Sequence, residues 1–66
     1  MPYSTNYDLP AKITSHLPEH AQTIFREAFN NSYAKYGESH AFAIAWAAVE
    51  KVYEKNAKGQ WVKKEK

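Results

Sequence analysis

No cysteine occurs in this sequence, so neither a disulfide nor a thiolate metal site can hold it together. Glycine is nearly as scarce. Gly37 and Gly59 are the only two, too few and too far apart for a loop that cradles phosphates. No apolar run approaches the ~20 residues that span a bilayer. The first residues carry no basic stretch leading into an apolar one, so no secretion signal is expected. All three prolines fall within the first 18 residues, which leaves the rest free for long helices. These absences set the first expectation: a soluble, cytoplasmic chain that is not membrane-inserted and is indifferent to reducing conditions.

What is present is a single domain, residues 1–66, with an unusual share of rings. A chain of this size buries only about 60% of the surface its unfolded form exposes, so its margin of stability is thin. Five Tyr, three Phe and two Trp compensate, because each ring removes a large apolar area from water. Charge is divided unevenly. Residues 1–54 hold four basic side chains (Lys12, Arg26, Lys35, Lys51) against six acidic ones. Residues 55–66 hold Lys55, Lys58, Lys63, Lys64 and Lys66 against Glu65 alone. Such asymmetry bears on partners rather than on fold.

Periodicity predicts a mainly α fold. Pro10 suits the first turn of a short helix over about 10–16, with Asp8 or Leu9 at its entrance. Pro18 turns Leu17 away from helical angles and starts a second helix, with Glu19 at its positive dipole end. Ala21, Ile24, Phe25, Ala28, Phe29, Tyr33 and Tyr36 form one face of a 3.6-residue period, and Gly37 ends it. Ser39 is the expected N-cap of a third helix over about 40–55, with Phe42, Ala45, Trp46, Val49, Val52 and Tyr53 on one side. Five alanines between 41 and 48 raise helix propensity and allow a close neighbour. Gln60, Trp61 and Val62 are expected to pair as a minimal strand with residues near Tyr3, joining the chain ends across two antiparallel helices. The expected core is Ile24, Phe25, Ala28, Phe29, Tyr33, Phe42, Ala45, Trp46, Val49 and Tyr53. On that reading, truncating Trp46 to Ala costs about 3–5 kcal/mol.

The residues offer no reaction centre. His16 and His20 have the i, i+4 spacing of a ligand pair, but Pro18 interrupts the helix between them, so no metal is expected. His20 is expected to hydrogen-bond a neighbour instead. Hydroxyls cluster at turns, while Glu27 and Glu50 read as solvated surface, and Glu54 sits in reach of Lys51. No nucleophile–base pair is evident, so the chain reads as non-enzymatic, with no cofactor and no small-molecule substrate. Asn30 is expected to hydrogen-bond the N-terminal segment, and Asn31 to face solvent. The aromatic stripe reads as core and not as a binding platform. Trp61 differs, standing in the basic segment KGQWVKKEK, and is expected to fold back over the core. Lys55, Lys58, Trp61, Lys63, Lys64 and Lys66 form the one set suited to nucleic acid, with lysines for phosphates and a ring for a base.

Three stretches together carry a resemblance: Leu17-Pro18-Glu19-His20-Ala21-Gln22-Thr23-Ile24, then Ala28-Phe29-Asn30, then Ala45-Trp46-Ala47-Ala48-Val49. With Asp8-Leu9-Pro10 before them, Tyr53 and Gly59-Gln60-Trp61 after them, and the opening Met1-Pro2-Tyr3, the chain resembles the ChaB family over essentially its whole length. That family's members are small proteins labelled as cation-transport regulators. Two departures stand out: the connection from Gly37 to Ser39 is shorter than the charged loop of the bacterial member, and Phe42 replaces a His. The resemblance implies a compact helical fold with a little strand. It also implies a non-enzymatic regulatory role through a protein partner, with a membrane sodium/calcium–proton antiporter as the proposed one. Relatives from insect viruses, and relatives fused to a domain like the N-terminal part of transcription terminator Rho, imply nucleic acid instead.

Overall fold

A computed structural model describes residues 3–64. A single 3-10 turn, Asn6–Asp8, precedes helix α1 (Ala11–Thr14), α2 (Glu19–Tyr36) and α3 (Glu38–Val52), and the chain closes in two short strands, β1 (Tyr53–Lys55) and β2 (Trp61–Lys63). The α2–α3 hairpin carries the molecule, and the remaining segments are laid on it.

Pro10 and Pro18 each sit at an N-cap with extended ψ, 150° and 163°, where a missing N–H leaves no partner wanting. Between the two helices the Gln22 amide donates to the carbonyls of Leu17 (2.7 Å) and Thr14 (3.3 Å), groups that the end of α1 leaves without helical partners. The corner between α2 and α3 is a single residue. Gly37 adopts φ 88°, ψ 178°, a region open in practice only to glycine. Its N–H closes α2 on the Tyr33 carbonyl (3.1 Å), and its own carbonyl accepts from the N–H of Ala41 in the first turn of α3 (3.0 Å).

Ser39 therefore does not cap α3. The helix begins at Glu38, with Gly37 alone between it and α2, so Ser39 already lies inside it and Glu38 takes the dipole end. The far end also differs from expectation, since α3 stops at Val52 and residues 53–55 are strand. Tyr53 turns to φ −122°, ψ 158°, which buries its ring. Asn56 then closes a hairpin. Its Oδ1 accepts from the N–H groups of Lys58 (2.9 Å) and Gln60 (3.0 Å), and Gly59 takes φ 83°. β2 thus pairs antiparallel with β1, in register Tyr53↔Lys63, Glu54↔Val62 and Lys55↔Trp61, and not with the segment near Tyr3. A local five-residue connection costs far less closure entropy than a pairing of the two chain ends. With Glu54 on a strand, its helical spacing from Lys51 no longer applies.

The buried core follows a simple arithmetic. Leu9, Ile13, Leu17, Ala21, Phe25 and Phe29 recur every fourth residue, and Ala41, Ala45, Val49 and Tyr53 do the same. Alanine opposite phenylalanine lets the helix axes approach while the rings fill the seam. Of the expected core, Phe25, Phe29, Ala45, Val49 and Tyr53 are buried, while Ile24, Ala28, Tyr33, Phe42 and Trp46 pack against the core only half-buried. Tyr36, expected on the apolar face, is 57% exposed beside the corner, and Ser32 is buried in its stead. The N-terminal segment is tied to α2 by two reciprocal hydrogen bonds: Tyr3 N–H donates to Asn30 Oδ1 (2.9 Å) and Asn30 Nδ2 donates to the Tyr3 carbonyl (2.8 Å). Among the described residues no buried side-chain polar atom lacks a partner.

Candidate docking cleft

On one flank of the hairpin the rings do not close over. Pro10, Lys12, Ile13, Phe42 and Trp46 line a cleft of about 400 Å³. The short helix α1 supplies one wall, because its position after Leu9 turns Ile13 inward and leaves Lys12 at the edge. α3 supplies the other wall, since Phe42 and Trp46 are four apart and share a face. Beneath them lies Phe25, whose centroid is 5.2 Å from Trp46 in an edge-on pair and 6.0 Å from Phe42. The Trp46 wall continues outward: its ring stacks on Trp61 at 5.7 Å and 29°, and Lys55 Nζ lies 5.7 Å from the Trp61 ring centre.

This arrangement corrects the reading of the aromatic stripe as wholly consumed in the core. Phe29 and Tyr53 are buried, but Phe42 and Trp46 keep a face toward the cleft. Pro10, Lys12 and Ile13 were not singled out as site residues from the sequence. The signal that could have found them is the four-residue spacing Leu9–Ile13–Leu17, which places α1 on the same core as α2.

The basic segment is organised by the ribbon. Lys55, Lys58, Lys63 and Lys64 are all exposed, on the two strands, the turn and the residue after them, while Lys66 lies outside the described residues. Trp61 folds back as expected, but onto Trp46 and not onto Tyr3, which packs on Phe29 at 5.0 Å instead. Beside Trp61 a shallow depression of about 500 Å³ mixes both signs, with Glu50 and Glu54 next to Lys55 and Lys64.

Other polar residues serve the fold. The Tyr53 hydroxyl lies 3.2 Å from His20 Nδ1. Arg26 donates through Nε to Asn6 Oδ1 (2.8 Å), which engages its guanidinium in holding the N-terminal segment. Among the described residues no three His, Cys, Asp or Glu side chains gather in a way that could hold a metal ion. The phenol of Tyr3 has its pKa raised above the ordinary tyrosine value, first by burial and then by the charge of Glu38.

Fold and site together define a small helical-hairpin module whose open feature is an apolar cleft beside a lysine-bearing ribbon. The chain belongs to the ChaB family: the family model, described as ChaB, matches residues 9–64. Curated relatives from Escherichia coli (strain K12) and Shigella flexneri, each named "Putative cation transport regulator ChaB", are 40% identical over 75 aligned positions, which span 97% of this chain and 99% of theirs. A solved structure described as "NMR solution structure of the putative cation transport regulator ChaB" superposes with a TM-score of 0.86 at 39% identity, covering 97% of this chain and all of that one. The relatives carry the name of a regulator and not that of an enzyme. No helix among the described residues is long and apolar enough to cross a membrane.

Proposed function

We propose that residues 1–66 act as a single ChaB-like domain, a non-enzymatic regulator that works in the cytoplasm by docking on another protein. The relatives' name points to cation transport, and within that class the resemblance to the ChaB family narrows our proposed partner to a membrane cation/proton antiporter. One observation carries the docking reading: the cleft between α1 and α3 is lined by the half-buried Phe42 and Trp46 over a buried Phe25. Aromatic side chains seated in a concavity are the usual energetic centre of a protein interface. No cofactor and no small-molecule substrate are required on this reading.

The test is affinity isolation from native lysate with immobilised chain, with and without nuclease. Retention of a defined protein after nuclease treatment is the expected result. Loss of all retention on nuclease treatment would move the assignment to nucleic acid, and no retention in either arm would end the docking reading.

A second reading rests on the four described ribbon lysines, Lys55, Lys58, Lys63 and Lys64, all of them exposed beside Trp61. Nucleic acid held by these groups would bind with an affinity that falls steeply with salt, and the double change Lys63→Glu/Lys64→Glu would abolish it. A gel shift across a salt series decides the matter. The stack of Trp61 on Trp46 weighs against this reading, because it already engages the ring that a base would need.

A further inference from the structure

The docking reading can be taken one step deeper, to the chemistry of what enters the cleft. Its floor and walls are mostly apolar, from Ile13, Phe42, Trp46 and the Pro10 ring. Few polar groups converge there. The Pro10 carbonyl already accepts from the N–H groups of Ile13 (2.9 Å) and Thr14 (3.1 Å). Small ligands are fixed by several precisely placed polar groups, which this cleft does not offer. A macromolecular segment, with affinity spread along its length, has no such need.

Lys12 is the one charged side chain lining the cleft among the described residues. It is exposed at the edge, so a partner's carboxylate can reach it without desolvating a buried charge. Beyond Trp46 and Trp61, Lys55, Lys58, Lys63 and Lys64 face Glu54 as the sole acid on β1, the turn and β2, which adds a positive field to that flank. Glu50 and Glu54 also border the shallow depression beside Trp61, but there they lie among Lys55 and Lys64. A basic segment would meet Lys12 with no acid in the cleft to offset it.

We infer that the Ile13–Phe42–Trp46 cleft is the docking site for an acidic peptide segment, which seats one bulky apolar side chain against Phe42 and Trp46 and places a carboxylate beside Lys12. The inference rests on the docking reading above and names the partner's chemistry. A nucleic-acid strand fits less well, since the cleft offers one cation and its Trp46 ring is packed on both Phe25 and Trp61.

The experiment uses the full chain and four short synthetic peptides: acidic with a central Trp or Leu, acidic without it, neutral with it, and basic with it. Affinity is read by fluorescence anisotropy, and the contact surface by amide chemical-shift mapping. The acidic peptide with the apolar anchor is expected to bind best and to shift the amides of residues 11–13, 42–46 and 61. Lys12→Glu, at an exposed position that leaves the core intact, should weaken it about fivefold and improve the basic peptide. Lys51→Glu, an equal change of net charge on α3 and outside the cleft lining, should leave both unchanged. Equal binding of the neutral or basic peptide, or of the acidic peptide lacking its anchor, overturns the proposed chemistry. Shifts confined to the ribbon, or displacement of the peptide by an oligonucleotide, overturn the cleft as the site. If no peptide binds but the nuclease-resistant partner is still retained, this cleft is wrong and docking stands; if neither binds, both fall.

Discussion

The two flanks of the α2–α3 hairpin are built from the same kinds of residue and end differently. On one, Phe25 and Phe29 meet Ala41, Ala45 and Val49, and none of the five retains solvent exposure. On the other, Phe42 and Trp46 rise from the same helix α3, touch the same Phe25, and stop half-buried at an open cleft. What separates them is cover. Tyr3, clamped by Asn30, lies over Phe29, whereas α1 is only four residues long and leaves a gap above Phe42. A helical stripe of rings therefore establishes which face is apolar; how deeply each ring is buried depends on segments that arrive from elsewhere.

The sharpest way to break that comparison is to truncate one ring on each side. Phe25→Ala should cost about 3–5 kcal/mol and leave little folded protein, because it opens a cavity under both helices. Phe42→Ala should cost clearly less, about 1–3 kcal/mol, since part of its ring is already in water. Urea denaturation of the two variants gives the answer, and equal costs would show that the cleft is closed in solution. Trp46 follows Phe42 here, so the larger loss expected from its sequence position no longer applies.

Opening the closed flank sharpens the contrast from the other side. Asn30→Ala removes both hydrogen bonds to Tyr3 and should cost about 1–2 kcal/mol. It should also release the Tyr3 ring from Phe29, visible as faster amide exchange at residues 3–6 with the α2–α3 seam still protected. Protection unchanged at residues 3–6 would mean that Asn30 is not the clamp.

The smallest effect is set by pH. The pKa of Tyr3 is raised in the folded chain, by burial first and by Glu38 second, so the fold disfavours tyrosinate. Its contribution to stability is complete below the ordinary tyrosine value of about 10 and is lost as pH rises through the higher folded value. A stability profile taken upward from neutral pH should show that decline, reduced in Tyr3→Phe. An identical decline in Tyr3→Phe would assign it to other groups.

Much of the fold was legible in the sequence, and the errors are instructive. The starts at Pro10 and Pro18 and the stop at Gly37 are local events, governed by φ restriction and by missing N–H groups, and they occur within a residue of where the sequence places them. Ser39 misleads because a serine after a glycine resembles an N-cap that follows a turn, whereas Gly37 serves as the whole corner. Tyr53–Lys55 misled because its apolar period continues that of α3, yet a buried Tyr ring and the Asn56 turn outweigh helix propensity there. Leu9, Ile13 and Leu17 escaped the expected core because Pro10 and Pro18 confine α1 to about one turn, too short for their four-residue spacing to stand out as a helical face.

By itself the sequence determined the hairpin, the family signature and the uneven placement of charge, since propensity, proline geometry and hydrophobic period act over neighbouring residues. Only the tertiary structure decided which rings vanish into the seam, that Trp61 lies on Trp46, and that Lys12 stands at the mouth of an apolar cleft. Those relations join residues tens of positions apart, and burial is a property of the cover a side chain receives from distant segments, which no local pattern encodes.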